Sequence, residues 1–456
     1  MLKVCLIEPK YKTKYPPIGL MKISTYFKGK GYSVEYFKGI PERNLFSQET
    51  YDIVCITTLF TFEWSITINT INTAKDLAGE GGKVYVGGIL ASIMPEDVFA
   101  ETGIRPIVGL LDKPGMLGFD DGVIIDRLPL DYSLMDTEGV AYATSTRGCI
   151  KKCPFCVVHK IEPDYCGYTG VNVPSGARCL VMLDNNVLAS DRLADIAGDI
   201  SRSEVKNVDF NQGIDYKLVT KDKMKVLKDI GVSVVRFSID DCNSFERYRK
   251  AIDISVECGF NHFMTTMLYN FEDKPEDLYK KMKLNMDLSG EYGVTINSFP
   301  MKYIPVTEKN RSFIGKHWNK KFIRAIQGML CSARGMVSGK RDFFEAMWGS
   351  SAEEYLDILW MPMDFIVYRR KYSESHRERF PSPKRYHGEC DMIPEFMEKY
   401  HALTDKEGLH SLVSCLNYKD TGNHEIDELL PYYRLNTPAK DIPWSKSYKG
   451  ERCEIC

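Results

Sequence analysis

The chain has 456 residues, with 60 Lys plus Arg against 62 Asp plus Glu and fourteen cysteines. This near-neutral balance argues against a protein whose main task is to coat nucleic acid, and the length supports two or three domains without a disulfide scaffold. No apolar run approaches the roughly 18 residues of a membrane span, and the opening residues read as a strand rather than a cleavable leader. A cytoplasmic, reducing setting is therefore expected, in which thiols serve metals or sit in cores.

Residues 1–130 read as a first domain. Lys3–Glu8 is an apolar run stopped by Pro9, as a buried strand would be. Pro16-Pro17-Ile18-Gly19 open a helix to about Lys30, with Ile18, Met21, Ile23 and Phe27 as its apolar stripe, and Gly31 ends it. Strands are predicted at Ser33–Phe37, Asp52–Thr57 and Lys83–Val86, with a helix over about Ser65–Ala78. This alternation, with nearly continuous apolar strands, points to a Rossmann-like parallel sheet covered on both faces. Such a sheet takes ligands beyond the carboxyl ends of its strands, at residues 9–17, 58–64 and 87–95. Gly87 and Gly88 can bring backbone against a flat ligand because no Cβ intervenes, or can simply make a strand-to-helix turn. No nucleotide-type glycine fingerprint follows the first strand.

Turn residues crowd Asp112–Asp121, and Leu128–Met135 reads as an extended link, so a boundary is expected at 125–140. In the second domain, residues 140–305, a strand at Tyr142–Thr146 runs into Cys149, Cys153 and Cys156. These three are the only tight triple among the cysteines. Soft thiolates select zinc, copper or iron–sulfur centres, and the missing fourth ligand disfavours a closed structural zinc site. Three thiolates satisfy three irons of a cubane [4Fe-4S] cluster and leave the fourth iron open. Five more strands are predicted at Cys179–Leu183, Val205–Phe210, Ser233–Ile239, His262–Met267 and Gly293–Phe299. Helices between them, at about Leu188–Ser201, Asp222–Ile230, Ser244–Cys258 and Pro275–Ser289, make six βα units, too few for a closed eight-unit barrel. The α/β expectation is thus a partial (β/α)6 barrel.

The strand ends are polar: Asp184-Asn185-Asn186, Asn211-Gln212-Gly213, Ser238 with Asp240, and Tyr269-Asn270. Such groups can accept from a ribose hydroxyl or an amino group and read an adenine edge. Helix capping is the rival role for Asp184 and Asn186. Asp209 is more surprising, because it lies inside a strand.

Residues 306–456 read as a mostly helical and irregular region that would cap the active site, with helices at Lys320–Cys331, Phe343–Trp348, Ala352–Leu359 and Pro394–His401. The basic stretches Arg369–Lys371 and Arg377–Arg385 could touch phosphate of a nucleotide or RNA, though a solvated face is the commoner role. Trp318, Trp348 and Trp360 are expected to pack in the core. Cys453 and Cys456, with His387, Cys390 and Cys415 upstream, permit a second cluster, a zinc knuckle or an inert tail.

With the triple and the six βα units in place, the sequence resembles the radical S-adenosylmethionine superfamily, in the branch whose barrel follows a cobalamin-binding-type domain. The resemblance covers roughly residues 1–305, and the cysteine motif is its strong part. It maps the cluster ligands onto Cys149, Cys153 and Cys156 and matches the aromatic before the last cysteine with Phe155. It implies an open iron that chelates the amino and carboxylate groups of S-adenosylmethionine, a one-electron donor such as flavodoxin or ferredoxin, and hydrogen abstraction from a substrate carbon. Asp184, Asn185, Asn186, Asn211, Gln212, Ser238, Asp240 and Tyr269 are then candidate cofactor contacts, as are Gly87 and Gly88 in the first domain. Two departures stand out. Residues 107–111 (IVGLL) lack the acidic glycine turn, and Asp184-Asn185-Asn186 replaces Gly-Gly-Glu.

The implied reaction is cobalamin-dependent C-methylation, a methyltransferase activity. The chain's first histidine is His159, so the first domain offers cobalt no imidazole. Rearrangement, oxidation or methylthiolation without cobalamin stay open, methylthiolation ranking low because Cys5 and Cys55 are the only thiols of that domain. A non-catalytic iron–sulfur module is the alternative of another class. Nothing in the sequence marks the substrate.

Overall fold

A computed structural model describes residues 2–41, 50–360 and 366. The chain divides into two compact units. One comprises 1–266, 292–296 and 302–313; the other comprises 267–291, 297–301 and the described residues from 314 onward.

The first unit begins with a four-stranded sheet of β1 (Lys3–Glu8), β2 (Ser33–Lys38), β3 (Tyr51–Thr58) and β4 (Ala78–Gly88), in the order β2-β1-β3-β4. Every pairing is parallel, with Leu6 opposite Tyr36 on one side and Cys55 on the other. Alternate residues of β1 feed opposite cores. Cys5 and Ile7 pack with Trp64, Ile68 and Ile71 of α2 (Trp64–Ala74), whereas Val4 and Leu6 pack with Leu20 and Phe27 of α1 (Ile18–Gly29). Burial on both faces explains why these strands read as continuous apolar runs. Each fully buried Leu or Ile side chain contributes about 1.5–3 kcal/mol. Two short helices, α3 (Ile89–Ile93) and α4 (Pro95–Thr102), follow β4. The strand β4 is longer than the predicted Lys83–Val86, since Ala78 already pairs with Tyr51 across an irregularity in the ladder.

The strands β5 (Val140–Ala143), β6 (Cys179–Met182) and β7 (Asn207–Phe210) form a second sheet in chain order, with both pairings parallel. A third sheet joins β8 (Val235–Ser238), β9 (His262–Tyr269) and β10 (Thr295–Lys302), in the order β10-β9-β8. A parallel bridge from Val208 to Val232 links the segments of β7 and β8. The predicted six strands are therefore present, as two sheets of three in an α/β fold with parallel pairing. Between them run α5 (Val158–Ile161), α6 (Leu193–Ser201), α7 (Lys221–Asp229) and α8 (Phe245–Glu257). The helix α6 starts five residues later than expected. Ser190 donates its hydroxyl to Gly167 O and accepts from Arg192 N instead of continuing a helix, and Arg192 itself is non-helical.

After β10 the chain returns along the first sheet's helices. Lys309 pairs with Asp97 at 3.0 Å and lies over the Trp64 ring, and Arg311 lies over the Phe62 ring near Glu63.

The second unit contains most of α9 (Pro275–Tyr292), with α10 (Lys320–Ser332), α11 (Arg341–Trp348) and α12 (Ala352–Trp360). Pro275 opens α9, where its missing N–H costs nothing. Asn319 caps α10 by accepting from Phe322 N at 2.8 Å. Its aromatic core joins Tyr279, Phe344, Trp348 and Tyr355. Trp318 donates to Asp273 O and Trp360 packs on Phe322, so all three singled-out tryptophans serve packing. The expected helix at Pro394–His401, the two basic stretches, and His387, Cys390, Cys415, Cys453 and Cys456 lie outside the described residues. Among the described residues no helix is long and apolar enough to cross a membrane.

Candidate functional site

The ladder of β5 ends at Ala143, three residues before the predicted end, because Ser145 and Thr146 turn to bind a side chain. Asp184 Oδ1 accepts from the backbone N–H and the hydroxyl of both residues, at 2.6–2.9 Å. Asp184 is 1% exposed. Burial pushes its carboxyl up from the usual range, and the four hydrogen bonds pull the other way. The carboxylate thus anchors the end of β5 just ahead of the cysteine loop. Its second oxygen, Oδ2, is buried without a hydrogen-bond partner.

Arg147 then pairs in antiparallel fashion with Cys166 through two backbone hydrogen bonds of 2.9 Å. Gly148 has φ +70°, and an added Cβ would lie 2.4 Å from Asp164 O. Only glycine holds this corner without strain. The loop that follows carries Cys149, Cys153 and Cys156 as free, half-buried thiols. Cys149 Sγ accepts from Lys151 N at 3.4 Å and Asn186 Nδ2 at 3.6 Å, and Cys156 N donates to Cys153 O at 3.0 Å. Burial raises the Cys153 thiol, as do the neighbouring Cys156, Cys149 and Asp240, while Lys151 opposes them. The three cysteines and Asp240 therefore share one electrostatic neighbourhood. Lys151 also pairs with Asp215 at 2.6 Å, tying the loop to the turn after β7.

Of the Asp184-Asn185-Asn186 run, Asn186 meets the loop directly at Cys149, and Asn185 meets it through Glu162. Asn185 Nδ2 donates to Glu162 Oε2, which also accepts from Gly148 N. Asn186 precedes a short 3-10 turn but makes no capping hydrogen bond, so the capping role weighed for it gives way to the contact with Cys149. It is 2% exposed, and its Oδ1 is a second buried acceptor without a partner. An iron–sulfur cluster fits such a set, with thiols outside any disulfide, N–H donors to the sulfur of Cys149 and the orphaned acceptor of Asn186 beside it. Among the described residues no three His, Cys, Asp or Glu side chains converge on a point for one ion; ligands to three separate irons need not converge so tightly.

The other candidates divide. Phe155 is half-buried within the loop. Asn211 hydrogen-bonds the Tyr15 hydroxyl at 3.1 Å through Oδ1, and Tyr15 meets Tyr142 edge-on at 6.3 Å. Gln212 and Ser238 are exposed at the ends of β7 and β8. Asp209 holds Arg236 of β8 in a two-pronged pair at 2.6 and 2.8 Å, which accounts for a carboxylate inside a strand. Tyr269 is 2% exposed in the core of the second unit, with its ring 5.4 Å from Trp318. Sequence reasoning missed Arg147, Glu162 and Asp126 and named Tyr15 only within residues 9–17; their contacts span 14 to 196 residues and leave no local signature.

The end of the first sheet differs. Gly88 has φ +100° and backs onto the end of β3, where an added Cβ would lie 2.3 Å from Thr58 O. Thr58 Oγ1 donates to Gly87 O and accepts from Ala91 N. Gly88 therefore makes a tight turn against β3. Gly87 and Gly88 also border a chamber of about 170 Å³ lined by Ile23, Cys55, Val86 and Leu111. Ligand pockets commonly span about 300–1,000 Å³, more than this chamber alone. An adjoining cavity of about 600 Å³ is walled by Lys22, Asp126, Arg147 and Glu162.

No family profile matches the chain, and no curated protein matches it either. Nine chains of solved structures do match. One is the crystal structure of a galactofuranose binding protein, 13% identical, covering 67% of this chain and 85% of that one with a TM-score of 0.17. So low a score carries no argument about fold or ligand.

Proposed function

We propose that the chain is a radical S-adenosylmethionine enzyme whose partial barrel is built from β5 to β10. The observation that carries this reading is the pair of buried, unpartnered acceptors, Asp184 Oδ2 and Asn186 Oδ1, in the run that reaches Cys149. Cys149, Cys153 and Cys156 would hold a [4Fe-4S] cluster, and Asn186 Oδ1 would accept from the amino group of S-adenosylmethionine. When bound, the two cofactors supply one-electron cleavage of the sulfonium and hydrogen abstraction from a substrate carbon.

The chain's own part is positional. Asp184 fixes the end of β5, Gly148 turns the corner, and the Lys151–Asp215 pair holds the loop over the strand ends. Asp209, two residues before Asn211, holds the Arg236 guanidinium in place. A flavodoxin or ferredoxin would deliver the electron.

No step is routed through cobalamin. Hydrogen abstraction is the part of the reaction that these residues support. Anaerobic reconstitution with iron and sulfide tests it. We expect about four irons per chain and 5'-deoxyadenosine once dithionite and S-adenosylmethionine are added. A chain that takes up iron but forms no 5'-deoxyadenosine sinks the proposal.

A further inference from the structure

We infer that Glu162 and Arg147 are positioning residues for the cysteine loop, and that their opposite charges set the electron affinity of the cluster it holds. The second half of this inference rests on the function proposed above. Glu162 closes α5 and reaches back 14 residues, where Oε2 accepts from Gly148 N at 2.6 Å and from Asn185 Nδ2 at 3.3 Å. One carboxylate thus holds the amide just before Cys149 and the run that carries Asn186.

Glu162 is one end of an ion chain. Its Oε1 faces Arg147 Nη1 at 3.5 Å, and Arg147 grips Asp126 with Nε at 3.0 Å and Nη2 at 2.5 Å. Asp126 Oδ1 also accepts from Lys22 Nζ of α1 at 2.8 Å. The four side chains are only 12–18% exposed. Their charges alternate in sign, and burial pulls the Lys22 ammonium down against the attraction of Asp126. Shielded from water, each charge acts more strongly on its neighbours than it would at the surface. Reduction of a cluster adds negative charge, which the Glu162 carboxylate opposes and the Arg147 guanidinium favours. Removing either charge leaves the other unopposed.

The test measures the midpoint potential of the reconstituted cluster, its iron content, and amide exchange over residues 147–149 of the metal-free chain. Glu162→Gln keeps an oxygen for Gly148 N but loses the charge. It is expected to retain iron and shift the potential upward. Arg147→Gln is expected to shift it downward, and Arg147→Lys to stay near wild type. Glu162→Ala should speed exchange at Gly148 and lower iron content, with the Gln variant restoring both. Shifts of the same sign for Glu162→Gln and Arg147→Gln, or none at full iron content, overturn the tuning. Unchanged exchange in Glu162→Ala overturns the positioning. Should Glu162→Ala fail to fold, exchange and potential in Glu162→Gln against Arg147→Gln still decide. A wild-type chain that loads no cluster overturns the proposed function and the tuning together, while exchange in the metal-free chain still decides the positioning. A wild-type cluster that yields no 5'-deoxyadenosine sinks the function alone.

Discussion

The ends of β4 and of β5 are both strand ends of parallel sheets, and both turn on a glycine of positive φ. Behind β4, Gly88 packs on Thr58, whose hydroxyl donates to one turn group and accepts from another. Behind β5, Gly148 makes an equally tight corner against Asp164, but the surroundings keep Asp184 Oδ2, Asn186 Oδ1 and three free thiols. The first end is completed by its own chain and the second is not. A glycine turn at the carboxyl end of a strand therefore says little about ligands until the polar groups around it have been paired off.

Breaking this contrast most severely are substitutions of the thiols. Replacing Cys149, Cys153 or Cys156 with Ala should reduce 5'-deoxyadenosine to background while the thermal unfolding midpoint of the metal-free chain stays near wild type. A comparable loss from Cys5→Ala at unchanged stability would put the site at the wrong sheet. Next, Gly148→Ala and Gly88→Ala should each cost more than the roughly 1–2 kcal/mol of a left-handed residue, because each Cβ also meets a backbone oxygen. Urea unfolding should register both, and iron content measured on the folded fraction should fall only for Gly148→Ala. Asp184→Ala abandons four donors and should destabilise by about 1–3 kcal/mol, read in the same unfolding curves. Asn186→Ala is the gentler probe. It should weaken S-adenosylmethionine binding by calorimetry and leave iron content unchanged. The smallest expected effect concerns the first sheet: purification with hydroxocobalamin should give no stoichiometric cobalt, and a bound corrin spectrum would reverse the contrast.

Much of the first sheet was legible because its signals are local. Pro9 and Gly31 punctuate apolar runs that match β1, β2 and α1 to within a residue or two. The strand β5 was misplaced by two to three residues because Ser145 and Thr146, good strand formers by pattern, leave the ladder for Asp184. The cysteines, Asp184 and Asn186 could be named from spacing and strand-end polarity. Asp184 could not be assigned its anchoring role, since nothing in its neighbours distinguishes a cap from a partner 38 residues upstream. The chain from Lys22 to Glu162 was invisible for the same reason, as was the burial of Tyr269 against Trp318.

Cys5 and Cys55 lie on neighbouring strands and are buried almost completely. Burial pushes the Cys5 thiol up to about 12 and raises Cys55 as well, so neither forms thiolate at neutral pH while the sheet is closed. An alkylating reagent applied to the intact chain should mark the half-exposed loop cysteines and spare these two. Their labelling becomes a built-in gauge of domain opening, separating a preparation that has lost its metal from one that has lost its fold.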